Sequence, residues 1–259
     1  MTDREKKIFE GPHGQKLQFF NCDTIGLVAG DVISKKEYAP NDDFMPRHGW
    51  TVYDIGAHVG VYSCWAACYG ARVYAFEADI SGPDSAYSLL VKNIFLNGFN
   101  NPVMDGNFIT PFPVAVAANA GRQLFRFGLE DLGNTLCHDM PRIDPEREPF
   151  EVGAVSFRSI LDGKFCAGPI NLLKMDIEGA EYECFASIAA LPDWKEVLAP
   201  VERIAMEWHP VGDIGVIANL LTASGFDVEL FPKWGANESG WGYGNLYAIR
   251  PCLGKVPRA

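Results

Sequence analysis

The chain has 259 residues, a length at which a single α/β domain buries one substantial core. Hydrophobic residues make up 48% and charged residues 21% of the sequence, which is typical of a globular protein rather than a disordered or fibrous one. The formal net charge of −11 repels a phosphate backbone, so the composition disfavours DNA and RNA as partners. Because we find neither a hydrophobic leader nor a run of about 20 apolar residues, we expect a cytoplasmic protein without a membrane partner.

The seven cysteines are an odd number and include no CxxC pair. Such spacing is a poor framework for a zinc site or for disulfides, and free cysteine is among the most frequently buried side chains. We therefore expect most of these cysteines to be small buried hydrophobic residues.

The N-terminal residues 1–50 carry two short apolar clusters, at 17–20 and 25–28, in a stretch rich in Gly, Pro and Asn. This pattern is typical of hairpins or a cap rather than of a helix. The sequence thus predicts a small N-terminal cap at 1–50, followed by the main domain at 51–259.

From residue 51 the pattern changes to alternating strands and helices. A β-prone run at 51–55 is followed by an apolar helix at 59–69, a second strand at 72–77 and a helix at 84–97. Two βα units in succession predict a parallel sheet with right-handed crossovers.

The remainder of the chain is irregular at first and then alternates again. In the irregular part we predict strands at 112–118, 123–127 and 152–157, with a loop at 128–149. The later elements are strands at 170–176, 203–208, 226–231 and 245–250, and helices at 180–190 and 213–224. A Trp- and Gly-rich connection at 233–244 suits a hairpin, which predicts an antiparallel edge on a mostly parallel sheet.

The turn after the first strand of the main domain predicts a nucleotide site. Ligands of open α/β sheets bind beyond the carboxyl ends of the strands, near the first strand. Gly56 and Gly60 allow close approach of the backbone to a ligand, and the following helix offers N–H groups at its positive end. Asp54 can accept a hydrogen bond from an α-ammonium group, directly or through water.

A dinucleotide is the competing ligand, and it defines an NAD-dependent oxidoreductase as one alternative function. Its G-x-G-x-x-G fingerprint has a middle glycine, which is absent here because Ala57 and His58 follow Gly56. Glu77 ends the second strand, where an acidic side chain can accept both hydroxyls of a ribose. Together these features describe a nucleoside that carries an amino acid, and S-adenosylmethionine fits. The predicted cofactor-binding residues are Asp54, Gly56, Ala57, His58, Gly60, Glu77, Ala78 and Asp176.

The chain resembles the FkbM family of methyltransferases in five segments that occur in the expected order. They are YDIGAHVG (53–60), VYAFE (73–77), NIFLN (93–97), LKMDIEGAE (173–181) and IAMEWH (204–209). The resemblance implies a class I methyltransferase fold, a Rossmann-like three-layer α/β sandwich with a seven-stranded sheet. It also implies methyl transfer from S-adenosylmethionine, typically to a hydroxyl of a secondary metabolite or sugar. The family usually has Asn where His58 stands, so we expect one contact near the cofactor to differ.

Four residues at the ends of two later strands are the predicted catalytic residues. Asp176 ends its strand beside the first strand and is expected to face the methyl group, and Lys174 shares its face by strand alternation. Glu207 and His209 end the next strand, also two residues apart. Imidazole is the natural general base near neutral pH, so His209 is the predicted base and Glu207 the residue that orients it.

Several assignments stay open at this level. Glu178 and Glu181 have a purely structural alternative, the favourable interaction of acidic residues with a helix N-terminus. Asp176, Glu178, Glu207 and His209 form a set capable of holding Mg²⁺ or a transition metal, although we predict no metal. His138 is a weaker base candidate, and Asn134 and Thr135 suit contacts from a lid. The aromatic residues Phe19, Phe20, Trp234, Trp241 and Tyr243 line an acceptor pocket or belong to the core.

The function predicted from the sequence is O-methylation of a small-molecule acceptor that carries a hydroxyl group. A non-catalytic nucleoside-binding protein on the same fold is the main alternative, ahead of the oxidoreductase. The sequence leaves the oligomeric state open, a homodimer included.

Overall fold

A computed structural model of the chain describes residues 5–101, 107–128, 134–138, 140, 143–166, 168–234 and 243–251. The strands are β1 (Lys6–Glu10), β2 (Lys16–Phe20), β3 (Thr51–Ile55), β4 (Arg72–Phe76), β5 (Ile109–Phe112), β6 (Ala115–Ala117), β7 (Gly121–Phe125), β8 (Phe150–Ser156), β9 (Leu172–Met175), β10 (Arg203–Trp208), β11 (Asp227–Trp234) and β12 (Tyr243–Ile249). The α-helices are α1 (Ile25–Ala29), α2 (Val61–Cys68), α3 (Ala86–Leu96), α4 (Phe157–Leu161), α5 (Glu181–Ala189), α6 (Trp194–Leu198) and α7 (Ile214–Ala223). Short 3-10 and π-helical turns occupy Pro12–Gly14 and Gly30–Ser34.

The main sheet has seven strands in the order β11-β12-β10-β9-β3-β4-β5. The strands β10, β9, β3, β4 and β5 pair in parallel, whereas β12 pairs antiparallel with both β10 and β11. All five residues of the central strand β3 are buried, as expected for a parallel strand covered on both faces. The prediction of a mostly parallel seven-stranded sheet is therefore confirmed.

Two apolar cores cover the two faces of this sheet. Strand alternation directs Val52 into the first core, where it joins Trp65 of α2 and Leu90 of α3. The neighbouring Tyr53 belongs to the second core, which includes Phe157 of α4 and Phe185 of α5. Because both faces are closed, ligands can reach the sheet only at the ends of its strands.

The N-terminal segment packs on the first core and differs in one part from its prediction. Strands β1 and β2 form an antiparallel hairpin, but residues 25–29 form α1, so the expectation that no helix occurs here is wrong for this cluster. Gly26 within this stretch and Gly30 directly after it lower its helix propensity. Burial of Ile25, Ala29 and Val32 in the first core outweighs that preference, because tertiary packing supplies most of the stability of short helices.

The middle of the chain also differs from its prediction. The expected strand at 112–118 is two strands, since β5 belongs to the main sheet and β6 to a three-stranded sheet of order β6-β8-β7. Pro113 lies between them and cannot donate a backbone hydrogen bond to a continuous ladder. The short helices α4 and α6 were not predicted, because five residues are too few to show a helical period.

The six cysteines among the described residues are free thiols, and Cys64, Cys68 and Cys184 are buried. Cys252 lies outside the described residues. None of the helices in the part of the chain that the structure describes is long and apolar enough to cross a bilayer.

Two asparagines of α3 connect the N-terminal hairpin to the main domain. The buried Asn93 accepts a hydrogen bond from the Phe20 N–H (2.9 Å) and donates one to the Val59 carbonyl (2.8 Å). Asn97 accepts from the Gln18 N–H (2.9 Å) and donates to the Gln18 carbonyl (2.7 Å). The two side chains thus hydrogen-bond to the backbone of β2 as a neighbouring strand would. Asn93 also fixes the turn that precedes α2 through its bond to the Val59 carbonyl.

We expect Asn93→Ala to lower the free energy of unfolding by about 2–4 kcal/mol, because it leaves two buried backbone groups without partners. Urea denaturation measures this change. Phe95→Ala removes an exposed side chain of the same helix and should change stability by less than about 0.5 kcal/mol. Equal effects of the two substitutions would contradict the anchoring role of Asn93.

Candidate active site

An open cleft enclosing about 1170 Å³ lies at the carboxyl ends of β3, β4, β9 and β10. Among the predicted cofactor-binding residues, its wall contains Gly56, Ala57, His58, Glu77, Ala78 and Asp176. Among the predicted catalytic residues, it contains Lys174, Asp176 and Glu207. Asp54, Gly60 and His209 do not line the cleft.

The two glycines of the turn are required by the packing of the protein. Gly56 and Gly60 have φ angles of 78° and 87°, which favour glycine. A Cβ at Gly56 would lie 1.7 Å from the Asp176 carbonyl oxygen, and one at Gly60 would lie 2.5 Å from Leu90 Cδ1. Gly56 also lines the cleft, and the role of both glycines in cofactor binding stays a prediction.

Glu77 joins the turn after β3 to the loop after β4. Its two carboxylate oxygens accept hydrogen bonds from the N–H groups of His58 and Asp79, each at 2.7 Å. Burial raises the pKa of Glu77 to about 7, even though these hydrogen bonds lower it. Each carboxylate oxygen keeps a second lone pair, so Glu77 can still accept hydroxyl groups from the cleft.

Asp54 and Lys174 form a buried pair beneath the floor of the cleft. Lys174 Nζ lies 3.2 Å from Asp54 Oδ1 and donates to the Gly56 carbonyl at 2.7 Å. The Ser63 hydroxyl donates to Asp54 Oδ2 at 2.6 Å. Burial lowers the pKa of Lys174, but the adjacent carboxylates outweigh burial and raise it, so the ammonium stays charged. The Asp54 carboxylate therefore faces Ser63 and Lys174, and its contact with a ligand, directly or through water, stays a prediction.

Asp176 lies between Lys174 and a tyrosine that the sequence analysis missed. The Tyr38 hydroxyl donates to Asp176 Oδ2 at 2.9 Å, and Lys174 Nζ lies 3.9 Å from the same oxygen. Burial raises the pKa of Tyr38 well above its usual value, so it remains a neutral donor. No sequence signal marks Tyr38, because its partner is 138 residues away.

His209 is enclosed by carboxylates. Its Nδ1 lies 3.2 Å from Glu181 Oε1, and its Nε2 lies 3.1 Å from Glu178 Oε2. Burial lowers the pKa of His209, but Glu178 and Glu181 outweigh burial and raise it well above its usual value. His209 does not line the cleft, and its role as base stays a prediction.

Glu207 does line the cleft, but it does not orient His209 as expected. Its Oε1 accepts from Lys233 Nζ at 2.9 Å, and Lys233 also pairs with Glu37. Burial and the nearby Asp176 raise the pKa of Glu207 to about 8. A carboxylate with this pKa is a stronger base than an exposed one.

The remaining predicted positions divide between the cleft wall and other places. Asn134 and Thr135 line the cleft, and Thr135 donates to the Glu178 carbonyl at 2.6 Å. Phe19 belongs to the first core, with Phe20 packed against it. His138 and Tyr243 do not line the cleft, and Trp241 and the side chain of Trp234 lie outside the described residues.

The strand order and the cleft at the carboxyl ends define the class I methyltransferase fold. The chain matches the methyltransferase FkbM domain over residues 54–228 and belongs to that family, as its sequence motifs predicted. The cofactor is S-adenosylmethionine. No curated protein sequence matches the chain.

Solved structures of other methyltransferases resemble the chain at a general level. Magnesium protoporphyrin IX methyltransferase from Synechocystis PCC 6803 with bound SAM has 14% identity and a TM-score of 0.42, with 88% of this chain and 78% of that chain covered. A SAM-dependent methyltransferase from Agrobacterium tumefaciens has 10% identity and a TM-score of 0.46, with 97% and 72% covered. An rRNA methylase from Streptococcus thermophilus has 11% identity and a TM-score of 0.42, with 80% and 90% covered. Similarity at this level does not extend to the methyl acceptor.

The buried pair of Asp54 and Lys174 makes a stability prediction. Asp54→Asn and Lys174→Met each leave one partner without its counterion, and we expect each to lower the free energy of unfolding by about 2–4 kcal/mol. Because the double variant removes both charges, it should be more stable than the sum of the single effects predicts, by at least about 1 kcal/mol. Urea denaturation of the four proteins measures this coupling, and additive effects would contradict it.

Proposed function

We propose that the protein transfers the methyl group of S-adenosylmethionine to a hydroxyl group of a small molecule. The main support for this proposal is that one cleft has two differently lined sides. Glu77 and Ala78 line the side that we assign to the nucleoside, and Tyr38 and Glu207 line the side that we assign to the acceptor. Asp176 lines the cleft as well and follows the strand next to β3. The cleft therefore has space for a cofactor and for an acceptor.

The residues on the nucleoside side fit S-adenosylmethionine. Glu77 offers its carboxylate to the ribose diol, in the position that acidic residues take after the second strand of such sheets. Val116 and Phe125 form an apolar wall of the same cleft, which suits adenine. The hydroxyl of Tyr62 is buried at the cleft and has no hydrogen-bond partner among the described residues, which leaves it available to a polar group of the ligand.

The other side of the cleft suits a compact acceptor that is neutral or cationic. Its wall is formed by the N-terminal segment, through Asp31, Glu37 and Tyr38, together with Glu207. The three carboxylates of Asp31, Glu37 and Glu207 outnumber their two lysine partners, Lys35 and Lys233, which disfavours phosphate and carboxylate groups on this side. The cap that we propose at residues 1–50 would thus shape the acceptor site, while residues 51–259 would hold the cofactor. The free thiols support a reducing, cytoplasmic compartment.

Methyl transfer from a sulfonium is a displacement for which the protein mainly supplies alignment, exclusion of water and a route for a proton. Bound S-adenosylmethionine would supply the methyl group to the acceptor oxygen, with S-adenosylhomocysteine as the leaving product. We assign the released proton to Glu207, the basic carboxylate of the acceptor side. Lys174 and Tyr38 hold Asp176 in position, where it would face the methyl group.

The cofactor assignment predicts pH-dependent binding of S-adenosylhomocysteine. Because ribose hydroxyls donate to the ionised carboxylate, binding favours loss of the Glu77 proton. With a pKa of about 7 in the free protein, the affinity should increase as the pH rises from about 6 to 8. Glu77→Gln should lower the affinity at pH 8 by about tenfold or more and should remove this part of the pH dependence.

Isothermal titration calorimetry measures both effects. Glu151→Gln, which changes an exposed carboxylate of β8, is the matched control and should bind like the wild type. Thermal denaturation verifies that each variant is folded. If folded Glu77→Gln binds as tightly as the control across the pH range, Glu77 does not hold the ribose.

The acceptor assignment predicts which compounds are methylated. Radiolabelled S-adenosylmethionine should label neutral or aminated sugars and other hydroxylated small molecules, and label should not appear on carboxylated analogues or on tRNA. Glu207→Gln should lower kcat about 100-fold, the usual size of a general-base contribution, with unchanged affinity for S-adenosylhomocysteine. Labelled tRNA alone would contradict the proposal, and binding of cofactor without any methyl transfer would favour a non-catalytic nucleoside-binding protein.

A further inference from the structure

Three side chains that follow β9 and β10 bring possible metal ligands together at the edge of the cleft. One ligand atom each from Asp176, Glu178 and His209 lies within 4.8 Å of the others. His209 Nε2 is 3.1 Å from Glu178 Oε2 and 3.9 Å from Asp176 Oδ1. Metal–ligand bonds of about 2.0–2.2 Å place neighbouring donor atoms about 3.0–3.5 Å apart. Small side-chain movements would therefore allow all three atoms to coordinate one ion.

The other nitrogen of His209 has the partner that a metal-bound histidine usually has. Its Nδ1 lies 3.2 Å from Glu181 Oε1, and metal ligands commonly donate this second N–H to a carboxylate. Glu181 is itself fixed, because its two oxygens accept from the N–H groups of Ile177 and Gly179 at 2.9 Å each. The imidazole is therefore oriented with Nε2 towards Asp176 and Glu178.

Asp176 has one carboxylate oxygen, Oδ1, that can serve as a metal ligand. Its Oδ2 accepts from Tyr38 and approaches Lys174, whereas its buried Oδ1, on the side of His209, has no hydrogen-bond partner among the described residues. A buried carboxylate oxygen without a partner is uncommon in native proteins. A bound cation would give Oδ1 the partner that it lacks.

The local charge also favours a cation. Five carboxylates meet at this end of the sheet, those of Asp54, Asp176, Glu178, Glu181 and Glu207. Among the described residues of this cluster, the opposing charges are Lys174, His209 when protonated, and Lys233 at the rim. Excess negative charge in a partly dry site is unfavourable, and a bound dication would reduce it.

We propose that Asp176 Oδ1, Glu178 Oε2 and His209 Nε2 bind one divalent metal ion, with Glu181 as the residue that positions the imidazole. One nitrogen and two carboxylate ligands suit Mn²⁺ or Zn²⁺ better than Mg²⁺, which prefers oxygen ligands alone. Since Asp176 and Glu178 line the cleft, the ion would face the acceptor and polarise its hydroxyl oxygen. This catalytic role rests on the proposed function, whereas binding of the ion does not.

Calorimetric titration of the full chain tests the site, after removal of metals with a chelator and without cofactor or acceptor. MnCl₂, ZnCl₂ and MgCl₂ are titrated separately. We expect one equivalent of Mn²⁺ or Zn²⁺ to bind, and Mg²⁺ to bind more weakly. Glu178→Gln should weaken binding at least about tenfold, and Glu181→Gln should weaken it about 10- to 100-fold.

Glu183→Gln is the matched control, because Glu183 is exposed on α5 just after Glu181. It should bind metal like the wild type. Asp176→Asn provides a second ligand variant should Glu178→Gln fail to fold, and circular dichroism reports folding for each protein. Absence of stoichiometric binding, or equal binding by folded ligand variants and the control, would mean that the cluster is an ion-pair network only and would overturn the proposal.

The result is independent of the proposed function. If the protein binds metal at this site but methylates no hydroxyl compound, the proposed metal site stands and the proposed function fails. If it methylates such compounds but binds no metal, the proposed function stands and the proposed metal site fails.

Discussion

The arrangement of the cleft depends on one buried ammonium group. Lys174 lies on β9 and reaches Asp54 of β3, the Gly56 carbonyl of the turn, and Asp176 beyond the end of its own strand. A lone buried charge is costly, whereas one surrounded by acceptors holds them at defined distances. Lys174 thus holds the ends of β3 and β9 together. The turn that follows β3 is hydrogen-bonded to Glu77, and Asp176 is hydrogen-bonded to Tyr38. Both sides of the cleft are therefore connected to this one side chain.

Much of the fold followed from the sequence because the main sheet is built from local patterns. The run at β3 and the boundaries of β10 were predicted correctly, since a fully buried strand and a strand that ends two residues before Pro210 are each marked by adjacent residues. The helix at α1 was missed, because its stability comes from burial in the first core and not from its own propensity. Sequence periodicity reports local preference, and it carries no information on a core that is completed by distant segments.

The same limit separates the site residues that were found from those that were not. Strand ends placed Glu77, Lys174 and Asp176 at the cleft, because their positions follow from the sheet alone. Tyr38 was missed, since it reaches the cleft through the packing of a segment without regular structure. The packing contacts of Gly56 and Asp54 were missed for a related reason. Residue type shows what a side chain can contact, but neighbouring elements decide what it does contact, and here β9 occupies the space beside both residues.

Two residues of one chain segment illustrate how strongly neighbours control ionisation. Glu178 and Glu181 favour the charged form of His209 and raise its pKa. Burial and the charge of Asp176 disfavour the ionised form of Glu207 and make it more basic. His209 and Glu207 lie two positions apart, and the carboxylates around each of them set its ionisation. A cation among these carboxylates would act on both residues at once, so the charge balance of the cluster determines how the acceptor side of the cleft functions.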